Sequence, residues 1–379
     1  MGWGIRRAAL AAAVVAGSAV LVAGGSVGGV HADPGAPVSE QQLVDQINAG
    51  RQVATHPGRA TAVTATGSAG AAGSRSTVAA GEGPEVTAAL AAFGYGLLHP
   101  NAAPPGANDW NCRPTPQHPR PVVLMHGSWM NAYDNFAYLS PRIKRAGFCV
   151  FAMNYGQAGV LEGGGLGPLL PGRNAVGPMA ESSRQLADFV DVVLAATGAD
   201  SVDIVAHSQG GAVSDQYLKF DGGAGKVTKL VTLGATHHGT SLLGIAALGR
   251  AINNLGLDIL GFNQLFVGPA NIEQVFGSPF LTRLNAEGDT IPGVDYTVIG
   301  TRWDEIVNPY DWTFLQPGPG ATVTNLTLQE GCEQDLSDHL TMMYSPRATS
   351  MVLRALDPGA YPSLVCTFNP WLLGGGGSL

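Results

Sequence analysis

The chain has little of what recognises charged polymers. Of its 379 residues only 13% are charged and 20 are Lys or Arg, and the formal net charge is −8. There is no basic patch to neutralise phosphates, so nucleic acid is not an expected partner. Aromatic residues are also sparse at 7%, yet the hydrophobic fraction reaches 45%. The apolar material is therefore largely aliphatic, and it suffices for one large core or two ordinary ones. Cysteine is scarce too. Cys112, Cys149, Cys332 and Cys366 show no spacing that resembles a zinc ligand pair.

Long apolar runs are missing except near the start. Arg6-Arg7 followed by the apolar stretch Ala8 to Ala23 and by Val30-His31-Ala32 reads as a secretory signal over residues 1–32. The twin arginines invite a twin-arginine route, but the rest of that motif is weak and the general pathway is favoured. The apolar run is short of a membrane span and carries no Cys for lipidation, so export with cleavage is expected rather than a stable membrane anchor. Losing Arg6 and Arg7 with the leader would take the net charge from −8 to −10. In an exported protein four cysteines suggest disulfides, with three possible pairings. Cys112 precedes one predicted core strand and Cys149 opens the next, while Cys332 and Cys366 both follow the last strand. The expected pairs are 112–149 and 332–366.

Residues 33–90 are mostly Ala, Gly, Ser and Thr, and read as a low-complexity linker or pro-segment with at most a short helix over Gln42–Ile47. The packed domain is expected over 91–379. In it, the apolar runs Pro121–Met125, Phe148–Met153, Val202–Val205, Val227–Leu233, Tyr296–Gly300 and Ala321–Leu328 read as strands. Helical patterns intervene at 140–147, 179–197 and 212–220, and a final helix lies near 350–356. Strands alternating with helices imply an α/β fold with a mostly parallel sheet covered on both faces. Residues 159–177 form a glycine- and proline-rich loop. The uncharged, apolar stretch 241–284 is expected to make a helical cap, although periodicity does not separate a mobile lid from ordinary helical core. The glycine-rich tail from 374 is expected to be disordered.

The chain is organised around Val202-Asp-Ile-Val-Ala-His-Ser-Gln-Gly-Gly211. A strand runs into Ala206-His207-Ser208-Gln209-Gly210, and a helix follows. Small residues two before and two after a serine at a strand-to-helix junction are what a nucleophile elbow requires, because strand and helix must pack closely around a strained turn. The usual first Gly is Ala206 here.

In that architecture the partners follow in the order serine, acid, histidine, on loops after later strands. Of nine histidines, six precede Ser208, and His237 and His238 come before any acid on a later strand end. Only His339 remains, after the last strand. Asp304 follows the strand 296–300 and is the candidate acid, with Asp311 and Asp295 as weaker rivals. His339 would be the base and Asp304 its orienting partner. Two backbone N–H donors are also needed for an oxyanion. Gln209 at the helix start is one, and Ser128 in the loop after the first core strand is the other. Trp129, Met130 and the stretch 241–284 would line the acyl pocket. His126 reads as structural. Adjacent His237 and His238 look like a metal-binding pair, but side chains of neighbours in an extended segment point opposite ways, so a structural or pocket-wall role is expected.

Together Pro121–Gly127, Ala206–Gly211, Thr301–Glu305 and Asp338-His339 resemble the secreted bacterial class 2 lipases of the α/β-hydrolase superfamily, over roughly residues 91–358. The resemblance implies a serine ester hydrolase, without metal or cofactor, acting on acylglycerols or other acyl esters as a secreted monomer. An acyltransferase or polyester hydrolase using the same acyl-enzyme, or a silent lipid-binding scaffold, stays open as an alternative.

Overall fold

The computed structural model describes residues 74–159, 172–240, 268–371 and 374. The expected leader, the helix at 42–47, residues 33–73 of the linker, the core of the 159–177 loop, residues 241–267 of the cap and the tail beyond 374 lie outside the described residues. The strands are β1 (Arg75–Val78), β2 (Val122–Met125), β3 (Val150–Gln157), β4 (Val202–His207), β5 (Val227–Leu233), β6 (Asp295–Gly300) and β7 (Thr322–Thr327). The helices are α1 (Ala89–Leu98), α2 (Ala132–Phe136), α3 (Leu139–Arg145), α4 (Met179–Thr197), α5 (Gln209–Phe220), α6 (Pro269–Glu273), α7 (Pro279–Leu284) and α8 (Pro346–Leu356).

The seven strands form one sheet in the order β1-β3-β2-β4-β5-β6-β7. Every pair is parallel except β1 with β3. The central strands read as unbroken apolar runs because both of their faces are covered. Side chains alternate across the sheet. Val123, Met125, Phe151, Met153, Ile204 and Ala206 pack toward α4 and α5. Val122, Leu124, Val150, Ala152, Val205 and Val231 pack toward α2, α3 and α8 on the other face.

The expected start of the packed domain at residue 91 moves earlier. Arg75–Val78 is an edge strand paired antiparallel with β3, and Ala80 and Gly83 donate backbone hydrogen bonds to Asn101 and Ala103. This segment is held by main-chain bonds and is largely exposed, so its polar composition gave no sign of it. The helices at 179–197 and after the elbow agree with the sequence pattern, as do the strand positions to within a few residues. The disulfides are Cys112–Cys149 and Cys332–Cys366, the expected pairs.

The strand order fixes where a site can form. The chain runs from β2 to β3 on one side, then crosses to β4 on the other side of β2. Loops leaving the C-terminal ends of β2 and β4 therefore diverge and open a crevice at this switch point. Met125 lies opposite Ala206 across that pair. The segment Gly127–Met130 thus faces Ser208.

Candidate active site

Ser208 sits between β4 and α5 with φ 53° and ψ −124°. A non-glycine residue in that region is strained and persists only where its surroundings enforce it. Here they do. A Cβ on Gly210 would lie 2.4 Å from the Met125 carbonyl oxygen, and one on Gly211 would lie 2.4 Å from the Ala235 Cβ. These contacts explain the two glycines after the serine. The methyl of Ala206, by contrast, is accommodated within the core.

His339 lies in the loop after β7 and is buried. Its Nε2 is 2.9 Å from Ser208 Oγ and its Nδ1 is 2.9 Å from Asp304 Oδ2. The carboxylate can only accept, so Nδ1 carries the proton and Nε2 is left to accept from the serine hydroxyl. The loop is shaped by Asp338, whose Oδ1 accepts from the N–H groups of Leu340 and Thr341. The His339 carbonyl accepts from His207 Nε2, and its N–H donates to Glu305. The ring is therefore held from both sides of the main chain.

Asp304 is buried at the end of β6. Its Oδ1 accepts from the N–H groups of Ile306 and Val307 at 2.9 and 2.6 Å, which leaves Oδ2 aimed at the imidazole. Gly234, at φ 53°, lets the end of β5 pass the pair, since a Cβ there would come within 3.1 Å of His339 Nδ1. The rival acids lie elsewhere. Asp295 is exposed at the start of β6, where it accepts from Thr322, and Asp311 is exposed in a 3₁₀ turn. Burial alone would lower the His339 pKa, but the charges of Asp304, Glu305 and Asp338, with the Asp304 hydrogen bond, outweigh it and raise the pKa.

The loop after β2 faces the serine. Gly127 N–H donates to Asn135 Oδ1 at 2.7 Å, and Trp129 N–H donates to the Asn174 carbonyl at 2.9 Å. The N–H of Ser128 between them has no partner among the described residues. Gln209 N–H lies in the first turn of α5, where helix geometry leaves donors without an intrahelical acceptor. Ser128, Trp129, Met130, Thr240, Ile306 and Leu340, with Ser208 and His339, border a cavity of about 270 Å³.

Sequence reasoning missed the residues that brace this loop. Arg173 donates to the Trp129 carbonyl and to Asp134, and Asn174 Nδ2 donates to the Met130 carbonyl. Gln274, just after α6, reaches Ser128. These are polar residues in irregular segments, and no periodicity or motif marks them.

His126, His237 and His238 take up internal bonds. His126 stacks on Tyr155, and burial lowers its pKa to about 4, so it is neutral. His237 pairs with Asp215, and His238 with Asp289. Among the described residues no cluster of His, Cys, Asp or Glu could hold a metal ion. No helix among them is long and apolar enough to cross a membrane.

A parallel sheet with a strained serine at its switch point, and His and Asp on later strand-end loops, defines the fold as that of an α/β-hydrolase. The model of the family Lipase (class 2) matches residues 119–316, a little over half of the chain, and the chain belongs to that family. The matched stretch includes Ser128, Ser208 and Asp304 and ends before His339. No curated protein matches the sequence.

Solved structures of lipases and esterases resemble the chain, and three of them serve as examples. Lipase B of Aspergillus fumigatus is 18% identical with a TM-score of 0.49, the alignment covering 67% of this chain and 55% of that one. The Bacillus licheniformis lipase BlEst2 is 16% identical with a TM-score of 0.42, over 61% of this chain and 89% of its own. The monoacylglycerol lipase of Paleococcus ferrophilus is 17% identical with a TM-score of 0.37, over 57% and 86%.

Proposed function

We propose that the protein is an exported serine hydrolase that cleaves carboxylic esters of lipids through an acyl-enzyme. The observation that carries the reading is the line of two 2.9 Å contacts from Ser208 Oγ through His339 to Asp304. That distance lies within the range in which a base can take a proton from a nucleophile.

In the reaction Ser208 Oγ attacks the ester carbonyl carbon as its proton passes to His339 Nε2. Asp304 holds the imidazole in the tautomer that accepts this proton and stabilises the imidazolium that results. Negative charge collects on the former carbonyl oxygen, toward which the N–H groups of Ser128 and Gln209 point as donors. The intermediate collapses, the C–O bond to the alcohol breaks, and the leaving oxygen takes the proton back from Nε2. Water then attacks the acyl-serine, giving its proton to His339. Collapse of the second intermediate releases the carboxylic acid and returns the proton to Ser208.

Trp129, Met130, Ile306 and Leu340 supply an apolar wall for the acyl chain beside the serine. The two disulfides and the leader-like residues 1–32 support export.

The test is hydrolysis of p-nitrophenyl esters from acetate to palmitate by the wild type and by Ser208→Ala. The expected result is turnover by the wild type, lost in the variant by a factor on the order of 10⁶ in kcat. Unchanged turnover in Ser208→Ala, or none by the wild type at any chain length, would contradict the proposal. Adding an alcohol acceptor and analysing products separates hydrolysis from acyl transfer.

A further inference from the structure

The main-chain N–H of Ser128 has a part in the proposed reaction, and its hydroxyl has none so far. The hydrogen bonds around it decide what that hydroxyl can do. Gln274 Nε2 lies 2.9 Å from Ser128 Oγ and 3.1 Å from the Ala270 carbonyl oxygen. A carbonyl oxygen only accepts, so the atom of the Gln274 amide that faces it is the NH₂. The other end of the amide agrees, because Thr236 Oγ1 donates to Gln274 Oε1 at 2.9 Å. The orientation of Gln274 is thus fixed from both ends, and the amide is buried.

Gln274 therefore donates to Ser128, and Ser128 Oγ accepts. The serine's own O–H proton takes no part in that bond. It has no acceptor among the described residues, and Ser128 borders the cavity that Ser208 enters. The loop is close to the serine there, since a Cβ on Gly127 would lie 3.0 Å from Ser208 Cβ.

We propose that the Ser128 hydroxyl is a third donor to the oxyanion, and that Gln274 is the positioning residue that points its proton there. The inference rests on the reading of Ser208 as the nucleophile. An amide donating into Ser128 Oγ also polarises the O–H bond and strengthens the serine as a donor. Gln274 is fixed in turn through its main chain, whose carbonyl accepts from Thr240 N–H at 2.9 Å. The segment after α6 is thereby coupled to the oxyanion loop across 146 residues of sequence. Kinetics separates this role from that of a simple tie between two loops.

The test uses the full chain and the variants Ser128→Ala, Ser128→Thr, Gln274→Leu and Ser128→Ala/Gln274→Leu. Ester hydrolysis and thermal unfolding are read for each, with Ser208→Ala as control. Loss of an oxyanion donor lowers kcat by a factor on the order of 10² and leaves KM nearly unchanged. That result is expected for Ser128→Ala, with most of the loss recovered in Ser128→Thr, which keeps the hydroxyl. Gln274→Leu is expected to lower kcat about tenfold, and the double variant to be no slower than Ser128→Ala, because Gln274 acts through the hydroxyl it orients.

Wild-type kcat in Ser128→Ala would overturn the proposal. So would a Gln274→Leu penalty that persists in full on top of Ser128→Ala, which would mark Gln274 as a structural tie. Ser128 is partly exposed at the cavity, so its variants do not depend on repacking a core. Activity retained in Ser208→Ala would instead contradict the serine mechanism itself, and that outcome is distinct from either.

Discussion

Two buried histidine–carboxylate pairs lie near the ends of the central strands, and only one of them faces Ser208, the proposed nucleophile. His339 Nδ1 meets Asp304 at 2.9 Å, and His237 Nδ1 meets Asp215 at 2.5 Å. Both pairs are sealed from solvent. What distinguishes them is the far side of each ring. His339 Nε2 looks onto Ser208 Oγ at a bordered cavity, whereas His237 Nε2 meets Thr232 Oγ1 inside the sheet. The His237 carbonyl also accepts from Asn285, and its ring packs near Gly211 at the start of α5. A His–Asp pair is thus a means of orienting an imidazole, and its chemistry is set by what the second nitrogen reaches. Here one pair orients the proposed base and the other ties α5 to the end of β5.

Substitutions can break this contrast. The largest difference is expected between Asp304→Asn and Asp215→Asn in steady-state kinetics. The first should lower kcat on the order of 10⁴-fold, because the imidazole loses the partner that fixes its tautomer. The second should leave kcat/KM within about threefold, the range expected when no transition-state contact is removed. Equal losses in the two variants would erase the distinction drawn between the pairs.

The pH profile sharpens it. In the proposed mechanism His339 must be neutral to accept the serine proton, and its pKa is raised because neighbouring carboxylates outweigh the effect of burial. Activity should therefore rise with pH along a kcat/KM limb lying above the ordinary histidine value of about 6.5. In Asp304→Asn the charge that favours imidazolium is gone, so that limb should move to lower pH. A limb unmoved by Asp304→Asn would mean that another group sets it.

The second pair should register in stability instead of in rate. Asp215→Ala leaves the His237 Nδ1–H buried without an acceptor, at a cost of about 2 kcal/mol. Chemical denaturation of Asp215→Ala should detect this loss while kcat of the remaining folded enzyme holds. The smallest effect is expected at the elbow itself. Ala206→Gly restores the usual motif but loosens a buried strand end, so a loss of roughly 0.5–1 kcal/mol with little change in kcat is expected.

The elbow was legible in the sequence because sterics dictate it. Ser208 needs a strained turn, and the turn needs glycines where Met125 and Ala235 approach. The position of His339 beside Ser208 was legible by order along the chain, since no other histidine follows the last strand. The sheet was legible because strands buried on both faces read as β-branched runs.

The bracing of the Ser128 loop was not legible. Arg173, Asn174 and Gln274 come from irregular segments, and their roles depend on tertiary approach rather than on spacing. Edge strand β1 was hidden for a related reason, since its main chain carries the pairing and Arg75-Ser-Thr-Val78 buries little. The second His–Asp pair shows the converse. Adjacent His237 and His238 attracted attention as a motif, yet each is bound internally to its own carboxylate.

The most direct test of the central claim is to treat the wild type with a p-nitrophenyl alkylphosphonate and map the adduct by peptide mass spectrometry. The account predicts one equivalent of label on Ser208, loss of ester hydrolysis in step with labelling, and no adduct in Ser208→Ala. Hydrolysis that continues after full exposure to the reagent, or a label on another residue that abolishes it, would contradict the assignment of Ser208 and His339 to the chemistry.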